Sequence, residues 1–542
     1  MKRLLILLSL SCLFASSCSL KEKPDQQGTA AQVKSEMAGD ESAIYNNPVL
    51  PGDYADPSVV RVGEEYWATA TSSEWAPLFP LLHSRNLVDW ETVGHVFPEN
   101  LPDWAESNFW APEISYDNGR FYIYYTARKK GGSLCVGVAS ATSATGPYKD
   151  HGPIVCQEAG AIDGFPIRDE NGDLYLVWKE DGNSRKLPTP LWGQRMNEER
   201  TALLGKKFEL FRNDADTWEG GLVEGPAIIR RNGYFYTFYA GDKCCGRACT
   251  YGVGVARAKK LTGPWVKFSG NPIMQQNEAW KCAGHGSIVT DQQGRDFFLY
   301  HAYTTNTFVY PGRQGLLDQI LWREDGWPYF EESAPSVTAP APYQQQAVVQ
   351  LDVQDEFNSP TLAKSWQWSV TQAPVYTISD TNNGQLLLKA SAAQIGTMLG
   401  QRTKAGDYTA TAALDCRSLP RGTRAGLSAF GDPNNAIGIA LQNDSIVLWQ
   451  VKRKEASELA RVAAPPQETL QFKLTVQQGH KLTFAWSGDG YSWNELNNGA
   501  PVDGSFLPPW DRGVRVGLSA KGPASTAATF NWFKINYNPV EI

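Results

Sequence analysis

Five stretches of the chain share one pattern, in which a turn containing glycine precedes a run of alternating aromatic and aliphatic residues. Such runs, bounded by Asn-Gly and similar turns, are typical of β-hairpins. The turn glycines are separated by 56, 53, 61 and 61 residues, and a unit that recurs at this spacing indicates a β-propeller. We therefore predict five blades over residues 45–332. The turn glycines are Gly63, Gly119, Gly172, Gly233 and Gly294.

A second recurring mark supports the repeat. The segments ATGPY (residues 144–148) and LTGPW (residues 261–265) follow the second and fourth runs at similar offsets. The alternative is a β-sandwich whose hairpins resemble one another by coincidence. A sandwich does not require a regular recurrence of this length, so the pattern favours the propeller.

The hydrophobic pattern changes after residues 333–350, which are rich in Pro, Ala and Gln and are predicted to be a linker. Residues 351–542 contain many short alternating segments, which predict a β-sandwich. The predicted fold is thus all-β, a five-bladed β-propeller followed by a β-sandwich domain. Trp449 and Trp493 are either sugar-stacking platforms on a carbohydrate-binding module or core residues of a structural buttress.

The N-terminus has the pattern of an export signal. Lys2 and Arg3 precede a short apolar run, and residues 15–18 resemble a bacterial lipobox that ends at Cys18. We predict a lipoprotein signal over residues 1–18 and a disordered polar tether over residues 19–44. The expected location is outside the cytoplasm, anchored to a bacterial outer membrane or facing the periplasm. A lipid on Cys18 is the only membrane contact that we predict.

The net charge limits the classes of binding partner, and the cysteine content bears on disulfides and metal binding. The formal net charge of −7 argues against nucleic acid, whereas 12% aromatic residues suit a neutral sugar polymer. Six cysteines between Cys135 and Cys282 make disulfides plausible in an exported protein, but six cysteines allow 15 pairings. Cys416 stands alone. The cysteines at positions 244, 245 and 249 could be zinc ligands. The spacing gives little support for a zinc site, because a second pair of ligands is lacking. The oligomeric state is open.

Three carboxylates lie at matching positions of the repeat. Asp56, Asp163 and Glu224 each precede a blade, namely the first, third and fourth, so we predict that they meet at one mouth of the central channel. Glycoside hydrolysis needs one carboxylic acid to protonate the leaving oxygen and one carboxylate to activate water. A third acid raises the pKa of the proton donor by like-charge repulsion.

Six ordered motifs make residues 48 to about 332 resemble glycoside hydrolase family 43, five-bladed propeller enzymes that act on xylose- and arabinose-containing glycans. The C-terminal region similarly resembles concanavalin-like and laminin-G-like modules of some glycosidases. One departure is Gly164, where the family often has proline. The motifs are ADPS (55–58), WAPEI (110–114), AID (161–163), VEGP (223–226), GHGS (284–287) and DGWP (325–328).

The resemblance implies a role for each carboxylate. Asp56 is expected to be the general base and Glu224 the general acid, with Asp163 tuning and orienting Glu224. Inversion at the anomeric carbon is implied, which requires base and acid roughly 6.5 to 9.5 Å apart.

The resemblance also implies substrate contacts. Trp110 is expected to form an apolar wall, Arg313 to bond sugar hydroxyls, and His285 to lie below the site. The alternatives are a buried blade tryptophan at Trp110, a surface-loop arginine at Arg313 and a structural histidine at His285. No cofactor is expected to be required, although a structural calcium near His285 is suggested by parts of the family.

The expected activity is exo-cleavage, as a β-xylosidase or an α-L-arabinofuranosidase. Residues 72–82 and 187–192 are expected to wall the channel mouth into a pocket, with the sandwich covering one side. The alternatives are an endo-arabinanase, a phosphorylase, and a non-catalytic propeller lipoprotein that binds glycan.

Overall fold

The computed structural model describes residues 43–307, 309–344, 351–379 and 384–537. The predicted signal and nearly all of the predicted tether lie outside these ranges. Within them the regular elements are β-strands and three short 3₁₀ turns, Gly182–Arg185, Glu331–Ser333 and Asn497–Gly499. No helix among these residues has the length and apolar character needed to cross a bilayer.

The propeller begins with β1 (Ile44–Asn46), β2 (Ser58–Val62), β3 (Glu65–Thr69), β4 (Trp75–Ala76), β5 (Leu78–Ser84) and β6 (Glu91–Phe97). Blade two contains β7 (Ala105–Asp117), β8 (Arg120–Lys129), β9 (Leu134–Ala141) and β10 (Lys149–Cys156). Blade three contains β11 (Ala161–Arg168), β12 (Leu174–Glu180), β13 (Leu191–Met196) and β14 (Leu203–Phe211). Blade four contains β15 (Val223–Arg231), β16 (Tyr234–Gly241), β17 (Gly252–Ala258) and β18 (Val266–Lys267). Blade five contains β19 (Trp280–Thr290), β20 (Asp296–Thr304), β21 (Gln314–Trp322) and β22 (Pro328–Tyr329).

Each blade is a four-stranded antiparallel sheet. The first blade has the strand order β2-β3-β5-β6, and in the other four blades consecutive strands are neighbours. The first strand of every blade packs beside the first strand of the next, and β19 returns to β2, so the five sheets form a closed ring. The predicted five-bladed propeller is confirmed.

The apolar runs form the middle strands of the blades, which are covered by a neighbouring blade on each face. In β8, Ile123 and Tyr125 pack toward blade one, whereas Tyr124 packs toward blade three. In β16, Phe235 belongs to the cluster shared with blade three and Phe238 to the cluster shared with blade five. Because strand residues alternate between faces, a sheet covered on both sides needs apolar residues at consecutive positions.

The segment after blade five closes the ring. Its strand β23 (Thr338–Pro340) pairs antiparallel with β1, so part of the predicted linker 333–350 is ordered against the start of the propeller.

The C-terminal domain is a sandwich of a nine-stranded and a six-stranded sheet around one large apolar core. Trp449 is buried in a core cluster, as the structural alternative predicts, whereas Trp493 is half-buried beneath Lys473. The strands are β24 (Val353–Asp355), β25 (Trp368–Ser369), β26 (Tyr376–Ile378), β27 (Leu386–Lys389), β28 (Thr397–Arg402), β29 (Tyr408–Asp415), β30 (Arg424–Asp432), β31 (Asn435–Gln442), β32 (Ser445–Lys452), β33 (Glu455–Ala463), β34 (Thr469–Gln477), β35 (Lys481–Ser487), β36 (Asn494–Glu495), β37 (Val502–Asp503), β38 (Arg515–Lys521) and β39 (Ala527–Asn536). Of these, β25 leaves the sandwich and pairs with β4 of the propeller.

Candidate active site

One backbone feature repeats in all five blades, within the inner strand or, in blade one, just before it. A residue with left-handed φ stands there in every blade, and each is followed by Pro or Gly. In blades two to five the strand register shifts at this point, which is the mark of a β-bulge. Bulges re-aim side chains, and here they turn polar groups toward the narrow channel. The five residues are Asp56 (φ 50°), Ala111 (39°), Asp163 (58°), Gly225 (60°) and His285 (35°).

Asp56 is buried among cationic and polar partners from blade five. Its Oδ1 lies 3.0 Å from Arg313 Nη1, 3.2 Å from His301 Nδ1 and 3.5 Å from His285 Nδ1, while Thr71 donates to Oδ2 at 2.7 Å. Burial alone raises the pKa of Asp56, but Arg313 and the two imidazoles outweigh it and hold the pKa well below the usual range. The side chain is therefore a carboxylate, the form that a general base requires.

Glu224 lies at the start of β15 and is bonded through both carboxyl oxygens. Lys179 Nζ lies 2.6 Å from Oε2, and the Tyr251 hydroxyl donates to Oε1 at 2.7 Å. Burial favours the protonated form, yet the ion pair with Lys179 dominates and lowers the pKa of Glu224.

Asp163 is bonded to the backbone beside Glu224 and to blade two. Its Oδ2 accepts the backbone N–H of Gly225 at 2.9 Å, directly beside Glu224, and its own N–H donates to Thr126 Oγ1 at 3.1 Å. Burial raises the pKa of Asp163 to about 6, with the charge of Glu224 adding to the shift and His285 opposing it. The structure therefore brings the three predicted acids to one end of the channel.

Gly164, the departure from the family pattern, has a packing reason. A Cβ at this position would lie 2.5 Å from Val136 Cγ1, which is closer than carbon atoms approach. Glycine allows β11 to pack tightly on the neighbouring blade just after Asp163.

The acids open into a pocket of about 690 Å³ that Trp110, Arg313 and His285 also line. The sandwich contributes Trp510 and Asp511 to the wall, and the Trp510 ring stands edge-on to Trp110 at 5.9 Å between centroids. The prediction that the sandwich covers one side is confirmed.

The prediction for residues 72–82 and 187–192 is wrong, because neither segment lines the pocket. In the first, Trp75 and Ala76 pair with β25 and serve to dock the sandwich. The wall is formed instead by residues 132–134, 158–159 and 183–185 of blades two and three and by the loop that carries Cys244 and Cys245.

Arg313 ties the pocket to the sandwich. Its Nη2 donates to the backbone carbonyl of Asp511 at 3.1 Å, while Nη1 bonds Asp56. Three residues before Asp56, the buried Asp53 accepts from Arg515 Nη2 and from the Gly513 N–H, both at 3.1 Å. Asp56 is thus held by Arg313 of the propeller, and the segment just before Asp56 is held by the sandwich.

The six cysteines of the propeller form three disulfides. Cys135 pairs with Cys156 within blade two, Cys249 with Cys282 between blades four and five, and Cys244 with its neighbour Cys245. Cys244 and Cys245 are therefore not available as zinc ligands. Cys416 has a free thiol.

The surroundings of His285 do not fit calcium, which prefers six to eight oxygen ligands. The imidazole packs on Gly225, and its Nδ1 lies 3.5 Å from Oδ1 of Asp56. In the part of the chain that the structure describes, no three Asp, Glu, His or Cys side chains are grouped as a metal site. The calcium stays a prediction without support from this geometry.

Four functional neighbours were missed in the sequence. Lys179 is the one that carried a signal, since a charged residue ends the apolar run LYLVW inside a strand. His301 follows an apolar run in β20, but a lone histidine in a strand carries no functional signal in the sequence. Tyr251 and Trp510 carried no local mark.

A propeller with three carboxylates at a pocket on its axis defines the class of protein, a glycosidase. The chain belongs to the glycosyl hydrolases family 43, whose model matches residues 45–328. Residues 354–536 match the model described as the beta xylosidase C-terminal concanavalin A-like domain.

Relatives along the whole chain agree with this assignment. The chain is 26% identical to xylosidase/arabinosidase 43B of Humicola insolens, over 91% of this chain and 98% of that protein. It is 25% identical to the non-reducing end α-L-arabinofuranosidase BoGH43B of Bacteroides ovatus, over 90% of this chain and 94% of that protein. The crystal structure of the GH43 protein BlXynB from Bacillus licheniformis matches with a TM-score of 0.79 at 26% identity, over 91% and 99% of the two chains.

Proposed function

We propose that the protein is an inverting, exo-acting glycosidase that removes xylose or arabinofuranose units from plant cell-wall polysaccharides. The observation that carries this proposal is the convergence of Asp56, Asp163 and Glu224, from three blades, on one end of the channel. The relatives named as xylosidases and arabinofuranosidases support the class of sugar.

In this mechanism Asp56 takes a proton from a water molecule as the water oxygen attacks the anomeric carbon. Glu224 gives its proton to the glycosidic oxygen as the bond between that oxygen and the anomeric carbon breaks. Asp56 ends protonated and Glu224 ionised, and exchange with solvent restores both. Asp163 holds the backbone beside Glu224. Its negative charge repels that of Glu224 and so favours the protonated form of Glu224.

The shape of the pocket supports exo-action. Trp510 of the sandwich and the Cys244–Cys245 loop of blade four both wall it, and a pocket closed on one side suits a chain end better than the middle of a polymer. Trp110 and Trp510 are the aromatic surfaces on which a sugar ring would pack.

The test is a screen with nitrophenyl β-xyloside, α-L-arabinofuranoside and β-galactofuranoside, followed by NMR of the anomer first released. We expect one of the first two to be cleaved with inversion. Glu224→Ala should lower turnover of natural linkages by about 10²- to 10⁴-fold while substrate binding persists. Glu209→Ala, on the outer strand of blade three, should leave turnover unchanged.

Other outcomes would decide against the proposal. Linear arabinan and xylo-oligosaccharides should yield monosaccharide; mid-length oligomers alone would make the enzyme endo-acting. A requirement for added phosphate would indicate a phosphorylase, and binding without any turnover would indicate a glycan-binding propeller.

We also propose export and lipid anchoring through Cys18. The lipobox-like residues 15–18 support this, and so do the disulfides, because disulfides persist in oxidising compartments. The full-length protein should partition into the membrane fraction, whereas Cys18→Ala should be released as a soluble form. Equal partitioning of the two would contradict anchoring.

A further inference from the structure

Lys179 is a buried ammonium group in the wall of the pocket. It lies near the end of β12, its side chain is 1% exposed, and its Nζ lies 2.6 Å from Glu224 Oε2 and 3.0 Å from Asp181 Oδ1. A charge this deeply buried is stable only with close counter-charges. One ammonium is thus shared between the carboxylate of Glu224 and that of Asp181.

Other titratable groups also face Glu224. Tyr251 from blade four bonds Oε1, Asp163 lies beside it on blade three, and His285 approaches from blade five. Asp56 on blade one acts on the same group of side chains from further away. Among the described residues, the cation that forms an ion pair with Glu224 is Lys179.

We propose that Lys179 is a positioning residue that orients the Glu224 carboxyl group and controls its charge, with Asp181 as the counter-charge that moderates this control. The proposal rests on the proposed function, in which Glu224 is the general acid.

The chemistry of the ammonium directs the proton to one oxygen. An ammonium group has donors and no acceptor, so Lys179 favours the form in which Oε2 accepts its hydrogen bond and carries no proton. The hydroxyl of Tyr251 can both donate and accept, so Oε1 is the oxygen that carries the proton in the acid form. The positive charge of Lys179 disfavours the protonated form of Glu224. Asp181 reduces this effect, because its carboxylate partly neutralises the same ammonium group.

The experiment compares pH profiles of kcat/KM for two substrates of the full chain. One is an unactivated disaccharide, whose leaving oxygen needs a proton; the other is a dinitrophenyl glycoside, whose leaving group does not. The alkaline limb of the disaccharide profile reports the loss of the proton from Glu224.

Lys179→Met should shift this alkaline limb to higher pH by about one to three units. Asp181→Asn should shift it in the opposite direction, because Lys179 then faces Glu224 alone. The dinitrophenyl profile should keep its alkaline limb in both variants. Lys207→Met, a lysine on the outer strand of the same blade beside Glu180, is the matched control and should leave both profiles unchanged.

The outcomes separate this proposal from the one on which it rests. If Glu224→Gln reduces turnover of both substrates equally, Glu224 is not the general acid, and the proposed function fails first. If Glu224→Gln selectively slows the disaccharide but the limb stays in place in Lys179→Met and Asp181→Asn, Lys179 has a purely structural role. Should Lys179→Met fail to fold, the shift in Asp181→Asn alone decides.

Discussion

Asp56 shows how one residue is kept ionised inside a protein. Three nitrogen atoms lie within 3.5 Å of its Oδ1, one each from Arg313, His301 and His285. Burial lowers the pKa of His301 to about 4, so this imidazole is neutral near pH 7. Arg313 is therefore the permanent positive charge beside Asp56.

Removal of that charge should move the acidic limb of the pH profile. A base must be ionised, so activity falls as the pH drops through its pKa. Arg313 lowers this pKa, and Arg313→Met should shift the acidic limb of kcat/KM to higher pH by about one to three units, with a lower maximum. The measurement is kcat/KM of the dinitrophenyl glycoside between pH 3 and 7.

Arg323→Met, at the end of blade five, serves as the control and should retain the wild-type limb. An acidic limb that stays in place in Arg313→Met would mean that Asp56 is not the base, or that Arg313 does not control its charge.

At the scale of the element, the bulge in β15 begins directly after Glu224. Gly225 has φ +60°, and a Cβ at this position would lie 2.8 Å from His285 Cγ. The bulge therefore needs glycine for two reasons, its backbone conformation and the close approach of the imidazole.

Gly225→Ala should lower kcat by at least about tenfold, because His285 or the bulge beside Glu224 must move. Gly233→Ala is a matched control: its φ is +79° in the turn of the same hairpin, and no atom lies within 4 Å of the added Cβ. Both variants carry a left-handed strain of about 1–2 kcal/mol. Only Gly225→Ala should lose activity. Equal activity of Gly225→Ala and Gly233→Ala would contradict this role for the bulge.

For the whole molecule, the sandwich is a structural part of the active site. Arg515 on β38 reaches Asp53 of the propeller, and Asp511 and Trp510 reach Arg313 and the pocket. The appended domain therefore contacts the residues beside Asp56 and also forms part of the pocket wall.

Arg515→Met should destabilise the protein strongly. Both partners of this ion pair are buried, and removal of one leaves the Asp53 carboxylate without its charge partner, which costs about 3–5 kcal/mol. Thermal or denaturant unfolding measures the loss. Arg461→Met, which breaks an exposed pair with Glu458, should unfold like the wild type. Equal stability of both variants would show that the Asp53–Arg515 contact does not hold the domains.

By itself, the sequence determined the five blades and the position of the three acids. Consecutive apolar residues after Gly119, Gly172 and Gly233 can be recognised from the local sequence. They are required because the middle strand of each blade is buried on both faces, and the same requirement recurs in every blade. The positions of Asp56, Asp163 and Glu224 could also be predicted from the sequence, because each acid directly precedes a recurring blade pattern.

Only the tertiary structure decided how those acids are charged and enclosed. Lys179 meets Glu224 across 45 residues, and Arg313 meets Asp56 across 257. Trp510 and Asp511 reach the pocket because the sandwich packs against the propeller. The folded loops bring the six cysteines together in one of the 15 possible pairings. Contacts between distant segments depend on how whole sheets pack, and no short-range periodicity of the chain encodes them.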